Sequence, residues 1–328
     1  MVERNMIDRL DDEVDAILRH PMSARVPSEP ELAALWRVAV DLLDLPDAAF
    51  RARLRQDLSR RSEAMKQATL APAYRPAGFR SITPYLIVPG AARLIEFMRE
   101  AFGAEELRRV PLPDGSLQHA EVRIGDAIVE LADAGGEWRP SPAALHFYVA
   151  DADRTYARAI AAGAASLGAP ADRPYGERSG FVADRSGNHW YIATRLEGPP
   201  IPAGLSSVTT HLTVEGADGL VDFVARAFGA EQLERHDGPD GRIVHAKVKL
   251  GDSVVELGDA AGRVTPMPAS LHYYVEDVDA VYASAIRAGA RSLGAPSDRP
   301  YGDRASEVVD AFGNQWFIAT HLGAPRRA

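Results

Sequence analysis

The 328-residue chain contains no cysteine. That absence excludes disulfides, thiolate metal sites and thiol nucleophiles, and it leaves the redox compartment undecided. No run of about 18 apolar residues occurs, so no segment is expected to cross a membrane as a helix. An excess of basic charge is also missing. Lys and Arg number 37 against 46 Asp and Glu, a formal net charge of −9, which argues against nucleic acid as a partner. The opening MVERNMIDRLDDEVDAILRH is charged throughout and has no apolar core, so it does not read as a secretory signal. A soluble, cytoplasmic chain is expected. Nor is there a Gly-rich phosphate loop, a Ser-His-Asp set or an HExxH stretch, which leaves nucleotide, acyl-transfer and metalloprotease chemistry without support. What remains is ordinary globular composition, 46% hydrophobic and 25% charged, at a length suggesting two or three domains.

Two stretches read almost alike, GDAIVELADA at 125–134 and GDSVVELGDA at 251–260. They belong to a longer repeat. Residues 82–196 align without a gap on 208–322, residue n falling on n + 126, so that Glu130 matches Glu256. EFMREAFGAEEL matches DFVARAFGAEQL, HAEVRIGD matches HAKVKLGD, and DRSGNHWYIAT matches DAFGNQWFIAT. A period this long means duplicated domains, each expected to have its own core, and not a solenoid. The expected division is a helical region (1–70), a linker (71–81), domain 1 (82–196), a linker (197–207), domain 2 (208–322) and a tail (323–328).

Within a copy the periodicity switches from strand to helix to three strands, twice over. ITPYLIV precedes a helix carrying Leu94, Phe97, Met98 and Phe102 and ending at Gly103; ALHFYV precedes a second helix with Asp151 as N-cap and Gly163 beyond its end. Before the copies, three amphipathic helices are expected over about residues 4–66. The third bears Arg51, Arg53, Arg55, Arg60 and Arg61, either a solvated face or a docking face for an acidic partner or nucleic acid.

Four β-α-β-β-β modules in two tandem pairs, with HAEVRIGD, the YVxDVD pattern and DxxGNxW in place, resemble the vicinal-oxygen-chelate (VOC) superfamily of glyoxalase I, bleomycin-resistance proteins and extradiol dioxygenases, and within it the PhnB-like branch. The resemblance implies an α+β fold of two tandem domains, each of paired βαβββ modules curled into a cup-shaped mixed sheet, preceded here by a small N-terminal helical domain. It also implies four metal-ligand positions per copy. Glu130 and Glu256 occupy one of them. The others fall on Thr83 and Thr209, on Ala144 and Ser270, and on Tyr191 and Phe317, so the standard metal set is expected to be absent.

Side chains two apart on a strand share a face. His211, His146, His272 and His189 each lie two residues from a lost ligand position, which suggests a shifted set of Glu130, His146 and His189 in copy 1, and of Glu256, His211 and His272 in copy 2, with Gln315 nearby. Such donors suit Zn, Fe, Ni or Mn. The competing reading is a metal-free pocket walled by Tyr85, Tyr148, Tyr191 and Tyr274, with no cofactor, in which the glutamates act as base or are held in a salt bridge. Arg178 and Arg304 would hold a substrate anion, or pair structurally with Asp184 and Asp310. His119 and His245 read as packing or surface groups, and Trp190 and Trp316 as core.

Three functions follow as expectations. The first is a glyoxalase/bleomycin-resistance-like protein binding a small molecule without the standard metal site. The second is a metal-dependent lyase, isomerase or dioxygenase using the shifted set. The third is a partner-docking protein acting through the helical region. One working cup per chain, and either a monomeric pseudo-dimer or a homodimer, are expected.

Overall fold

The computed structural model describes residues 74–136, 138–262 and 264–323. The expected helices over 4–66, with their arginines, lie outside the described residues. Among the described residues, sixteen strands and four helices follow the expected order. In copy 1 these are β1 (Ile82–Val88), α1 (Ala91–Phe102), β2 (Glu105–Pro111), β3 (Leu117–Ile124), β4 (Ala127–Asp133), β5 (Ala144–Tyr148), α2 (Ala152–Ala161), β6 (Ala165–Arg173), β7 (Glu177–Ala183) and β8 (His189–Arg195). Copy 2 repeats them as β9 (Val208–Val214), α3 (Ala217–Phe228), β10 (Glu231–Asp237), β11 (Ile243–Leu250), β12 (Ser253–Asp259), β13 (Ser270–Tyr274), α4 (Val278–Arg287), β14 (Arg291–Asp298), β15 (Asp303–Val309) and β16 (Gln315–His321).

Local chemistry explains the boundaries. Asp151 and Asp277 of the two YVxDVD-like stretches cap α2 and α4, each carboxylate accepting the N–H three residues on. The DxxGNxW motif is a tied turn. Asp184 accepts the Asn188 amide at 2.9 Å and the Trp190 indole N–H at 2.9 Å, and Asp310 does the same for Asn314 and Trp316. Both tryptophans are fully buried, as expected.

The strands assemble across the duplication. One eight-stranded mixed sheet has the order β14-β15-β16-β13-β1-β4-β3-β2, the other β10-β11-β12-β9-β5-β8-β7-β6. The first sheet therefore joins the first module of copy 1 to the second module of copy 2, through antiparallel β1 and β13. The second sheet makes the reciprocal union through β5 and β9. The helical side keeps to its own copy. Phe102 of α1 meets Phe147 and Trp190 at 4.9 and 4.7 Å, and Phe228 of α3 meets Tyr273 and Trp316 at 5.3 and 4.7 Å. These aromatic contacts stay within a copy, whereas neither sheet belongs to one copy, and buried residues of both copies join in one hydrophobic cluster.

Two turns stitch the union. Gly251 adopts φ 61°, and an added Cβ would lie 2.2 Å from Ser81 Oγ. Beside it, Asp252 accepts the Ser81 N–H at 2.8 Å and the Arg75 guanidinium at 2.7 Å. Gly125 and Asp126 meet Ser207 in the same way. Gly251→Ala should cost about 2 kcal/mol or more. Gly103→Ala, where an added Cβ meets nothing, should cost only the ~1–2 kcal/mol of left-handed backbone. Urea melts of the two variants compare these directly. The first copy expressed alone, with β1 and β5 stripped of their partners, should sediment as a homodimer; a well-folded monomer would contradict the cross-copy pairing.

Candidate functional site

The repeated glutamates sit where strand alternation puts them. Val129 and Leu131 of β4 are fully buried in the helix-side core, and Glu130 lies on the opposite, cup face, 1% exposed. A carboxylate buried this deeply needs a partner. Glu130 finds it in the other copy: His272 Nδ1 lies 2.8 Å from its Oε2. Glu256 pairs reciprocally with His146 Nδ1 at 2.9 Å. The shifted sets drawn within a copy are corrected accordingly. Glu130 is on the first sheet, and His146 and His189 are on the second; Glu256 and His211 share the second sheet, and His272 is on the first. The cause is the crossing of modules at β1–β13 and β5–β9.

In the second cup His146 lies between two carboxylates, Glu256 at 2.9 Å and Glu177 Oε2 at 3.4 Å, and stacks on Tyr148 at 4.3 Å. The Tyr148 hydroxyl donates to Glu177 Oε1 at 2.9 Å. Burial disfavours the imidazolium of His146, but Glu256 and Glu177 outweigh it and raise its pKa to about 9. Burial works against Glu256 as a carboxylate as well, and His146 overcomes it, holding Glu256 well below its ordinary value. His211, the register partner of Glu256, goes the other way: burial lowers it to about 4, so it is neutral at pH 7. Its Nδ1 is 3.3 Å from Thr213 Oγ1, its ring lies 6.1 Å from that of His245, and His245 Nε2 is 3.5 Å from Glu256. Tyr191 edges onto His211 at 5.9 Å. His189 opens β8, two residues before Tyr191.

The first cup differs in its side chains. His119 Nε2 lies 3.2 Å from Glu121 and 3.9 Å from Glu130, and Tyr85 Oη is 3.4 Å from His119 Nδ1. Tyr85, Phe317 and Trp138 form an aromatic wall, with Trp138 stacked on Phe317 at 5.4 Å and still 40% exposed. Tyr274 stacks on His272 at 4.2 Å, and Asp303, 3.4 Å from the Tyr274 hydroxyl, accepts from His321 at 2.7 Å. Burial and then Glu130 raise the Tyr85 phenol well above its usual range, so it is protonated.

Arg178 and Arg304 face away from both cups. Arg178 forks onto Asp153 of α2 and reaches Asp172 at 2.9 Å; Arg304 pairs with Asp279 and Asp298. Asp184 and Asp310 are engaged by the tied turns, so the arginines pair structurally, with other partners than expected. His119, Glu121, His245, Glu177 and Trp138 join the site beyond the expected residues. A signal existed for Glu121. The two-residue turn Gly125-Asp126 fixes the β3–β4 register, which sets Glu121 opposite Glu130.

The four positions that family likeness assigns to a metal come together as Thr83, Glu130, Ser270 and Phe317 in the first cup, and as Thr209, Glu256, Ala144 and Tyr191 in the second. Each set holds one ligand-type side chain, so the residues present do not fit the standard metal. A different group does come together: donor atoms of His119, Glu121 and Glu130 all lie within 4.8 Å of one another.

Paired βαβββ modules with glutamate–histidine pairs on the concave side define a tandem module protein of the glyoxalase type. The model of the Glyoxalase/Bleomycin resistance protein/Dioxygenase superfamily matches residues 79–192 and 205–318, and the chain belongs to that superfamily. "Uncharacterized protein Mb0911c" of Mycobacterium bovis is 40% identical over 132 residues, 37% of this chain and 84% of its own length. "Uncharacterized protein Rv0887c" of Mycobacterium tuberculosis is 38% identical over 132 residues, 37% of this chain and 75% of its own. Among solved structures, glyoxalase I from Zea mays superposes with TM-score 0.56 at 19% identity, covering 73% of this chain and 92% of that one, a likeness of fold.

The pKa shifts in the second cup set a pH dependence. His146 holds its proton more tightly folded than unfolded, so its stabilisation is complete below about pH 6.5 and is lost as pH rises through about 9. His211 has the opposite slope, costing stability as pH falls from 6.5 toward 4. The stability difference between wild type and His146→Gln should therefore shrink by up to about 3 kcal/mol between pH 6.5 and 10. Denaturant melts at the two pH values check this.

Proposed function

We propose that the chain binds a small organic molecule on the cup face of its second sheet, without the family's standard metal set, and that the site is equipped for proton transfer on what it binds. The observation that carries this reading is one buried carboxylate, Glu256, with His146 Nδ1 at 2.9 Å, His245 Nε2 at 3.5 Å and His211 as its register partner, surroundings that push the pKa of His146 up to about 9 and that of His211 down to about 4. Pairs of titratable groups pushed apart by their surroundings are how a site assigns an acid and a base. His146 is the donor, fixed by Glu256 and Glu177. His211 is the acceptor, and Tyr191 supplies an apolar wall. An oxygen-bearing ligand of the hydroxy- or keto-acid kind suits donors of this type.

On this reading the chain acts as a binding or lyase-like member of its superfamily, of the PhnB-like branch that its motifs resemble, in the cytoplasm and as a pseudo-dimer that draws both cups from a single chain. Among the described residues, the metal-dependent alternative draws its support from His119, Glu121 and Glu130 of the first cup, a different set from the shifted one. Partner docking through the helical region concerns residues outside those described.

Saturation-transfer NMR with a panel of hydroxy and keto acids tests the reading. Wild type should give hits that are lost in His146→Gln and in His211→Phe, with near-native circular dichroism. Wild-type silence across the panel, or hits unchanged in both variants, would refute it.

A further inference from the structure

The two cups share a backbone plan but line it differently. In copy 2 the position of Trp138 is taken by Val264 and that of Glu121 by Lys247; Phe181 of copy 1 stands where copy 2 has Glu307. The second cup supplies a cation to an aromatic face from within the chain, since the Arg173 guanidinium lies 4.8 Å over the Phe181 ring. In the first cup the matching arginine, Arg299, lies 3.9 Å from the carboxylate of Glu307.

The first cup presents an aromatic face of its own. Trp138, on the loop between β4 and β5, lies nearly parallel to Phe317, 14° between planes and 5.4 Å between centroids. Tyr85 tilts against both, at 6.4 Å from Trp138 and 5.1 Å from Phe317. Tyr85 and Phe317 are buried, and the indole is the exposed member of the three. Register sets acids beside this wall. Glu307 of β15 lies opposite Phe317, and Glu130 of β4 lies beside Tyr85 on β1. The Tyr301 phenol shares their field: burial, with Asp303, Glu130 and Glu307 acting against Arg299, raises it to about 12.

We infer that the first cup binds an organic cation of the substituted-ammonium kind, its head on the exposed indole of Trp138 beside Glu307 and Glu130. The face of an aromatic ring is negative, and indole is the best of the three side chains at attracting an ammonium. The carboxylates contribute through their field at a distance, so none has to release a partner it holds. Val264 offers no such face in the second cup, where Lys247 adds a positive charge beside Glu256. The site lies on the first sheet and the proton-transfer reading on the second, so either can fail alone.

Saturation-transfer NMR and isothermal titration of the full-length protein test the inference. The probes are choline and dimethylbutanol, its carbon isostere, in which a tert-butyl group replaces the trimethylammonium. Wild type should bind choline, and the uncharged alcohol about tenfold more weakly. Trp138→Leu should weaken choline binding about tenfold, and Glu307→Gln about threefold. Val264→Ala, at the matching position of copy 2, should leave it unchanged. Absence of choline binding by wild type would overturn the inference. Equal binding of the alcohol would do the same, because apolar burial alone would then explain the site. Choline binding unchanged in Trp138→Leu, or lost in Val264→Ala, would put the cation elsewhere and also overturn it. Circular dichroism of each variant separates loss of the site from loss of the fold.

Discussion

Antiparallel pairing across the duplication is the constraint on which the rest of this structure depends. Four residues of β1, Ile82 to Tyr85, run against Tyr273 to Ser270 of β13, and β9 and β5 pair in the same way. The pairing brings a histidine from one copy within hydrogen-bonding distance of a glutamate from the other. Without it, each glutamate would be a buried charge with its histidine partner on another sheet, a cost of several kcal/mol. The backbone ladder and the ion pair therefore support each other.

The aromatic packing has a complementary logic. Helices pack on the strands of their own copy through Phe102 and Phe228, and the sheets run between copies. One side of the molecule is organised by partners within a copy and the other by partners from the opposite copy. Where the two meet, Asp252 and Asp126 take backbone N–H groups from the strand entering the opposite copy. The glycines before them permit an approach that any Cβ would block.

Much of this was legible in the chain. The duplication, the strand and helix order, the capping aspartates, the buried tryptophans and the cup-face glutamates all follow from periodicity and turn chemistry. The choice of partner did not follow. His146 and His272 are spaced identically within their copies, so alternation places each on a cup face without saying whose glutamate it faces. Arg178 illustrates the same limit. Its expected partner, Asp184, is engaged by Trp190, and the real partner, Asp153, lies on α2. His119 and Glu121 were accessible through hairpin arithmetic, yet a strand rich in charge reads as a solvated edge until the facing strand is known.

The crossing of modules also bears on how such a gene can change over time. A duplicated domain usually leaves one copy free to erode while the other keeps the work. Here each cup takes half its strands from each copy, so erosion of either copy would dismantle both cups together. Within the cups, divergence shows in single side chains. That is where Glu121 and Lys247, or Tyr85 and His211, have parted company within an otherwise matched framework.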